Sequence, residues 1–386
     1  MAANDLPRTL LRRRWDGDKI LETPHPQDGA RRGQLVPRRV RLTDARANIV
    51  VPLLRASCDG SGACCGLYHH VPATTEDRDG VVSALGDSWN RTVALEDVFH
   101  PAFEGLENPL NVVSIDGSCA FREPDGKCAI HAAAGAGAKP QSCLSYPAHL
   151  VACGTEWHAS LRPECACITR SAIGGSALDA DPEVWVALRK TLHRVWAVPR
   201  NVNITSERAI PRDTYVDWMR SAVARLKTSF DPLGALESSR ADLWSAAGVE
   251  TAPLGFPDGS RLDAIARHLA AESLEVGSAF EESSPYRRSI EWGAEVATAL
   301  QQTGEQVPDW SRGRAGDWAR RTASTVSFLL HGHTLLEREA LGPALDDLLH
   351  VLRLARAGEA LKATEAVDSR LESVTMWLFL WRNVWL

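Results

Sequence analysis

Residues 58–66 have the sequence Cys-Asp-Gly-Ser-Gly-Ala-Cys-Cys-Gly, and the organisation of the rest of the chain follows from it. Glycine has no Cβ and tolerates tight turns, so this loop can bring several sulfur atoms to one point. The side chains of sequence neighbours usually diverge. Cys64 and Cys65 therefore reach one metal only in a tightly turned loop, and otherwise one of them serves a second site or packs. The stretch predicts a metal-binding loop.

All nine cysteines of the 386-residue chain lie between Cys58 and Cys167. The same segment is rich in turn signals such as Pro124-Asp125-Gly126, whereas helical periodicity dominates after it. This contrast predicts three parts: a basic N-terminal arm and lead-in at 1–54, a cysteine-cluster metal-binding domain at 55–175, and a mostly α-helical domain at 176–386.

Apolar residues at helical spacing carry the fold prediction. Trp185, Leu188, Leu192 and Val195 form one stripe ahead of Pro199, which predicts a single helix up to that proline. Similar stripes at 218–226, 262–269 and 345–352 predict further helices, with tryptophans filling a helical core. The predicted fold class is mostly α, with a small, loop-rich, metal-organised α+β module and a helical C-terminal domain.

Charge and hydropathy limit the classes of function. The formal net charge of -6 gives no overall electrostatic case for nucleic acid, although arginines are concentrated in the first 57 residues. The N-terminus lacks the apolar core of a secretory leader, and the apolar run Met376–Trp381 is too short to cross a bilayer, so we expect a cytoplasmic protein without membrane partners. In a reducing cytosol thiolates stay available for metal.

Eight cysteines are the candidate metal ligands: Cys58, Cys64, Cys65, Cys119, Cys128, Cys143, Cys165 and Cys167. Thiolates select zinc, copper(I) or iron–sulfur clusters, so we expect a [4Fe–4S] cluster or zinc. Paired Cys-x-x-Cys knuckles of a zinc ribbon are absent, which favours a cluster or an irregular centre. The alternative is a set of buried free thiols that act as small apolar residues.

Histidines are weaker candidates. His131 follows Cys128 by three residues, and these lie beyond a predicted hairpin turn at Pro124-Asp125-Gly126 that could bring Cys119 and Cys128 to one centre. No neighbouring thiolate or carboxylate pattern accompanies His331-Gly332-His333, so this tripeptide predicts a local helix break rather than a metal site.

The cysteine segment resembles a zinc- or iron-chelating cysteine-cluster family across about residues 55 to 170. That family has the signature Cys-x-x-Cys-x-x-Cys-Cys, then a Cys-x-Phe element, a Gly-x-Cys-x-Ile-His element and a Cys-x-x-Tyr-Pro element. The matching segments here are 58–65, 119–121, 126–131 and 143–147. Ser61 replaces the second cysteine, so the site must use an oxygen, leave an open position, or recruit Cys153, Cys167 or His131.

Within this family, the length, residues 160–165 and the helical C-terminal part are similar to the flagellin lysine N-methylase branch. The resemblance implies methyl transfer from S-adenosylmethionine to lysine side chains of a protein substrate, with the cysteine site holding an iron–sulfur cluster. The lysine must be neutral to attack a methyl group. Two alternatives remain: a non-enzymatic metal-binding module that docks a partner, and a thiol redox sensor.

Overall fold

The computed structural model describes residues 34–39, 48–57, 71–89, 91, 93–101, 110–115, 118–162, 165–180, 182–191, 194–252, 254, 291, 294, 298 and 315–362. The strands in these residues are β1 (Val36–Arg39), β2 (Asn48–Val50), β3 (Val71–Ala73), β4 (Phe99–Pro101), β5 (Leu110–Val112), β6 (Ser114–Ile115), β7 (Ser118–Cys119), β8 (Ala148–Cys153), β9 (Glu156–Leu161), β10 (Arg194–Ala197), β11 (Asn201–Asn203) and β12 (Ala209–Pro211). The α-helices are α1 (Thr75–Leu85), α2 (Ala129–Ala134), α3 (Gln141–Ser145), α4 (Ala166–Ser171), α5 (Pro182–Thr191), α6 (Arg212–Thr228), α7 (Pro232–Ala246), α8 (Ala315–His331) and α9 (Leu341–Lys362). Short 3-10 helices cover Gly86–Ser88, Leu95–Val98, Ala136–Ala138, Leu178–Ala180 and Thr334–Glu337.

The described residues fall into two compact units. The first contains residues 71–146 and residue 291, and the second contains 34–57 together with the described residues from 147 onward, except 291.

The first unit is built on an antiparallel sheet with the strand order β3-β5-β4. Helix α1 starts with a capping box in which the Thr74 hydroxyl accepts from the Asp77 amide and the Asp77 carboxylate accepts from the Thr74 amide. Buried Val81, Val112 and Phe121 belong to the core of this unit. Loss of their contact with water on folding is the main stabilising contribution here.

The second unit contains a five-stranded mixed sheet with the strand order β1-β10-β8-β9-β2. Strands β8 and β9 form an antiparallel hairpin. On its two sides, β10 pairs with β8 in parallel and β2 pairs with β9 in parallel. Because side chains alternate along a strand, each face of the hairpin has its own neighbours. On one face, Trp157 and Ala159 pack with Trp185 and Val195 in an apolar cluster. The other face carries the polar residues of the site described below.

The fold-class prediction is wrong. The described residues form an α/β mixture with mixed and antiparallel sheets, not a mostly α protein with one small α+β module. Helix α5 ends at Thr191, and residues 194–197 form β10 instead of continuing the helix to Pro199. Val195 and Trp196 suit a strand, and the pairing of β10 with β1 and β8 outweighs the helical spacing.

Two of the predicted helices are confirmed. The stripe at 218–226 lies in α6 and the stripe at 345–352 lies in α9, while the stripe at 262–269 lies outside the described residues. None of the helices in the described part combines the length and the apolar character needed to cross a bilayer.

Candidate metal centre

The β8–β9 hairpin carries three of the polar groups of the site on one face. Cys153 is the last residue of β8 and pairs with Glu156, and His158 follows Glu156 by two residues, so all three side chains lie on the same side of the sheet. A two-residue turn joins the strands, and Gly154 has a positive φ of 65° there, which glycine adopts without steric cost. The tight turn keeps Cys153 close to His158.

The end of α8 supplies the opposing group. The Ser160 hydroxyl on β9 donates to the Phe328 carbonyl of α8 at 2.7 Å, which holds the last turn of the helix against the strand. The helix ends at His331, and His333 adopts a left-handed backbone with φ of 54°. This conformation costs a non-glycine residue energy, and residues that adopt it are concentrated at functional sites.

Cys153, His158 and His333 converge in the interior of the second unit. The sulfur atom of the cysteine and one ring nitrogen of each histidine all lie within 4.8 Å of one another. The His333 Nε2 and His158 Nδ1 atoms are 2.9 Å apart. Both histidines are fully buried and the cysteine is 6% exposed. It is the one group of three potential metal ligands among the described residues.

The outward-facing nitrogens of both histidines have partners. The Tyr215 hydroxyl of α6 lies 2.9 Å from His333 Nδ1. The Glu156 carboxylate lies 3.4 Å from His158 Nε2 and accepts a hydrogen bond of 2.9 Å from Arg220. Without a metal, one set of tautomers satisfies this series of hydrogen bonds: the tyrosine donates to His333, His333 donates to His158, and His158 donates to the carboxylate.

Burial keeps the site uncharged. Loss of hydration lowers the pKa of His158, opposed by its hydrogen bond with Glu156, and lowers the pKa of His333 well below its usual value. Burial also raises the pKa of the Cys153 thiol to about 11, against the opposing field of Arg212. The imidazoles are therefore neutral at neutral pH, which is the form that binds metal.

The dimensions suit a small divalent cation. In a tetrahedral zinc site the Zn–N distances are about 2.0–2.1 Å, which places two ligand nitrogens about 3.3 Å apart. The facing nitrogens of His158 and His333 need to separate by only a few tenths of an ångström to reach that spacing. Sulfur and imidazole nitrogen are the donors that zinc prefers, and a bound cation would itself deprotonate the thiol.

Gly332 lies where the end of α8 approaches β9 closely, and a side chain there would be tightly packed. A Cβ atom at this position would lie 3.0 Å from the Phe328 carbonyl oxygen and 3.1 Å from the Ser160 side chain. We expect Gly332→Ala to lower the free energy of unfolding by about 1–3 kcal/mol, because the added methyl group pushes α8 away from the strand. Urea unfolding measures this. Gly174→Ala is the control, since nothing lies within 4 Å of its Cβ position, and equal losses in both variants would contradict the prediction.

The eight predicted cysteine ligands stay a prediction. Cys58, Cys64 and Cys65, with Ser61, lie outside the described residues. Cys119 and Cys128 both pack against the core of the first unit, and the turn predicted between them forms, with Arg122 and Cys128 paired across it. Among the described residues, these cysteines do not assemble with two other ligands.

The remaining predicted cysteines have different surroundings. Cys143 lies in the short helix α3 of the first unit. In the second unit, Cys165 directly precedes α4 and Cys167 lies within it, and both are buried. His131 is an exposed residue of α2. These positions neither assemble a three-ligand centre within the described residues nor include a member of the site on the hairpin.

Sequence reasoning found only parts of the hairpin site. The sequence offers Cys153 only as one replacement for the ligand missing at Ser61, and none of the metal-ligand motifs includes His158. The predicted helix break at His331-Gly332-His333 is confirmed. No cysteine is close to this tripeptide in the sequence, but Cys153, distant in sequence, lies next to His333 in the structure. One sequence signal was available: Glu156, His158 and Ser160 alternate with the apolar Trp157 and Ala159, which is typical of a strand with one polar and one apolar face.

No protein-family model matches this sequence, and neither the curated proteins nor the solved structures contain a significant match.

Proposed function

We propose that this protein binds a zinc ion through Cys153, His158 and His333. The observation that carries the proposal is the convergence of one thiol and two imidazoles within 4.8 Å, in the interior of the second unit. The three ligands come from two segments that are far apart in sequence, the β8–β9 hairpin and the turn after α8. A metal there would tie these segments together.

The surroundings of the two histidines support this proposal. A metal-binding histidine generally donates its second ring N–H to a carboxylate, a carbonyl or a water, which sets the tautomer and the direction of the ring. Glu156, itself held by Arg220, is placed to do this for His158, and the Tyr215 hydroxyl is the corresponding partner of His333.

The donor set favours zinc over magnesium or calcium. Those hard cations bind oxygen ligands, whereas a thiolate with two imidazoles suits zinc, copper or iron. Zinc binding replaces the thiol proton: the ion forms a bond with the Cys153 sulfur and one proton leaves to solvent. The His333 proton moves from Nε2 to Nδ1, so that Nε2 is free for the metal and the Tyr215 hydroxyl becomes the acceptor.

The cysteine cluster predicted from sequence is a second, separate proposal. An iron–sulfur cluster or zinc held by Cys58, Cys64, Cys65 and their partners is inferred from the cysteine pattern, not from the three ligands of the hairpin site. Methyl transfer from S-adenosylmethionine to a protein lysine is proposed on the resemblance alone. It would fail if the protein purified with its metals neither bound S-adenosylmethionine in calorimetry nor transferred labelled methyl groups to cellular proteins.

Metal analysis of variants tests the zinc proposal. The protein is purified anaerobically and its iron, sulfide and zinc contents are measured for wild type, Cys153→Ser and Cys128→Ser. We expect Cys153→Ser to contain one zinc fewer per chain, since serine is a poor zinc ligand, with the iron and sulfide contents unchanged. Cys128→Ser, which changes a predicted cluster ligand, is expected to keep that zinc.

Equal zinc contents in wild type and Cys153→Ser would overturn the proposal. The side chains from Tyr215 to Glu156 would then form a hydrogen-bonded network of the core. The histidine nitrogens proposed to bind zinc would take part in hydrogen bonds instead. A loss of iron rather than zinc in Cys153→Ser would instead place this cysteine in the predicted cluster.

A further inference from the structure

A third histidine lies beside the candidate zinc site. His331 is the last residue of α8, and its ring centroid is 5.2 Å from that of His158. The residue is 7% exposed. Only Gly332 separates it from His333, so the turn that places His333 in the site also places His331 beside it.

The His331 ring has one nitrogen without a partner. The Ala159 backbone lies near the ring and raises the pKa of His331 against the larger effect of burial, whereas the buried Nδ1 atom has no hydrogen-bond partner among the described residues. An unpartnered buried nitrogen is costly, because it has lost its hydrogen bonds to water and gained none in exchange. A bound metal would supply the missing partner.

We infer that His331 is the fourth ligand, which closes a Cys–His₃ zinc site. This inference rests on the proposed function and makes it more specific. The nearby Ala159 backbone would orient the ring, as carbonyl groups do for other metal-binding histidines. The His331 nitrogens are not among the atoms that lie within 4.8 Å of one another, so the ring moves toward the ion when the metal binds.

A closed site has a functional consequence. Structural zinc sites have four protein ligands, whereas catalytic sites keep one position for water or substrate. With His331 bound, the ion has no free position, and the site fastens the end of α8 to the β8–β9 hairpin instead of activating a substrate. Without His331, a water would occupy the fourth position.

Cobalt(II) substitution distinguishes the two arrangements. Four-coordinate cobalt absorbs more strongly in the visible region than cobalt with additional water ligands. We expect the wild-type spectrum to be that of a tetrahedral site with one sulfur ligand, and to stay unchanged when azide is added. His331→Ala is expected to weaken the visible bands, to respond to azide, and to lower zinc affinity by about 100-fold or more, beyond the loss caused by removing an outer partner.

Two further variants complete the experiment. His350→Ala is the matched control, because His350 is a similarly buried histidine on α9, 8% exposed, and is not a member of the site. It should leave the cobalt spectrum and zinc affinity unchanged. His331→Cys restores a ligand, and we expect strong visible bands with increased sulfur-to-cobalt charge transfer. This variant decides the question if His331→Ala does not fold.

The outcomes separate the two proposals. If wild type binds cobalt but its spectrum responds to azide, or if His331→Ala has the wild-type spectrum and affinity, His331 is not a ligand and only this inference is overturned. If the sulfur-to-cobalt charge-transfer bands of His331→Cys are no stronger than those of wild type, residue 331 does not bind the metal, and again only this inference is overturned. Failure of the wild-type protein to bind zinc or cobalt at this site, judged against Cys153→Ser, overturns both proposals.

Discussion

Zinc at about a thousandfold excess over its dissociation constant is expected to raise the free energy of unfolding of the metal-free protein by about 4 kcal/mol through the hairpin site. The physical reason is linkage. The folded chain brings Cys153, His158 and His333 together from the hairpin and from the turn after α8, and the unfolded chain does not hold them in one place. Denaturant unfolding at neutral pH, with and without zinc, measures the change.

His333→Ala isolates the contribution of this site from that of the predicted cysteine cluster, which could bind zinc in the unfolded chain as well. We expect zinc to raise the free energy of unfolding of wild type by more than that of His333→Ala, with a difference close to the full value of about 4 kcal/mol. His350→Ala is expected to respond to zinc as wild type does. An equal response of wild type and His333→Ala would mean that the stabilising zinc is bound elsewhere.

Acidification of the metal-free protein from neutral pH to pH 4 is expected to cost about 3 kcal/mol of stability through His331 alone. Burial, reinforced by the neighbouring His158, lowers the pKa of His331 from 6.5 to about 3. Between these two values the unfolded chain binds a proton that the folded protein does not. Stability therefore falls as the pH drops below about 6.5, and this contribution levels off below about pH 3.

His331→Gln provides the comparison, since glutamine keeps a polar side chain but has no group that titrates in this range. Urea unfolding of both proteins with a chelator present, at pH 7 and at pH 4, gives the two differences. We expect the loss on acidification to be smaller in the variant by about 3 kcal/mol. Equal losses would mean that His331 is protonated in the folded protein at pH 4 without cost.

Sequence patterns identified elements where local preference and packing agree. The stripe at 218–226 predicted the helix that became α6, and the stripe at 345–352 predicted α9. The turn at Pro124-Asp125-Gly126 also forms, because the glycine adopts a positive φ of 85° there. In each case residues close in sequence decide the conformation.

The fold class could not be obtained in the same way. Val195 continued a helical stripe, yet it lies in β10, where its neighbours are the distant strands β1 and β8. The sheet gathers strands from the N-terminal arm, the cysteine segment and the start of the predicted helical domain. Whether a segment forms a strand depends on the strands it pairs with, and a single sequence does not show which distant segments those are.

The sequence by itself determined the chemical inventory of the protein: which side chains can bind metal, that the thiols are concentrated between Cys58 and Cys167, and that a helix ends at His331-Gly332-His333. Only the tertiary structure decided that Cys153, His158 and His333 meet, and that His331 lies beside them. The physical reason is that strand pairing and helix packing set distances between residues far apart in sequence. A hydrogen bond such as Ser160 to Phe328 then fixes the approach of α8 to β9, which no spacing along the chain contains.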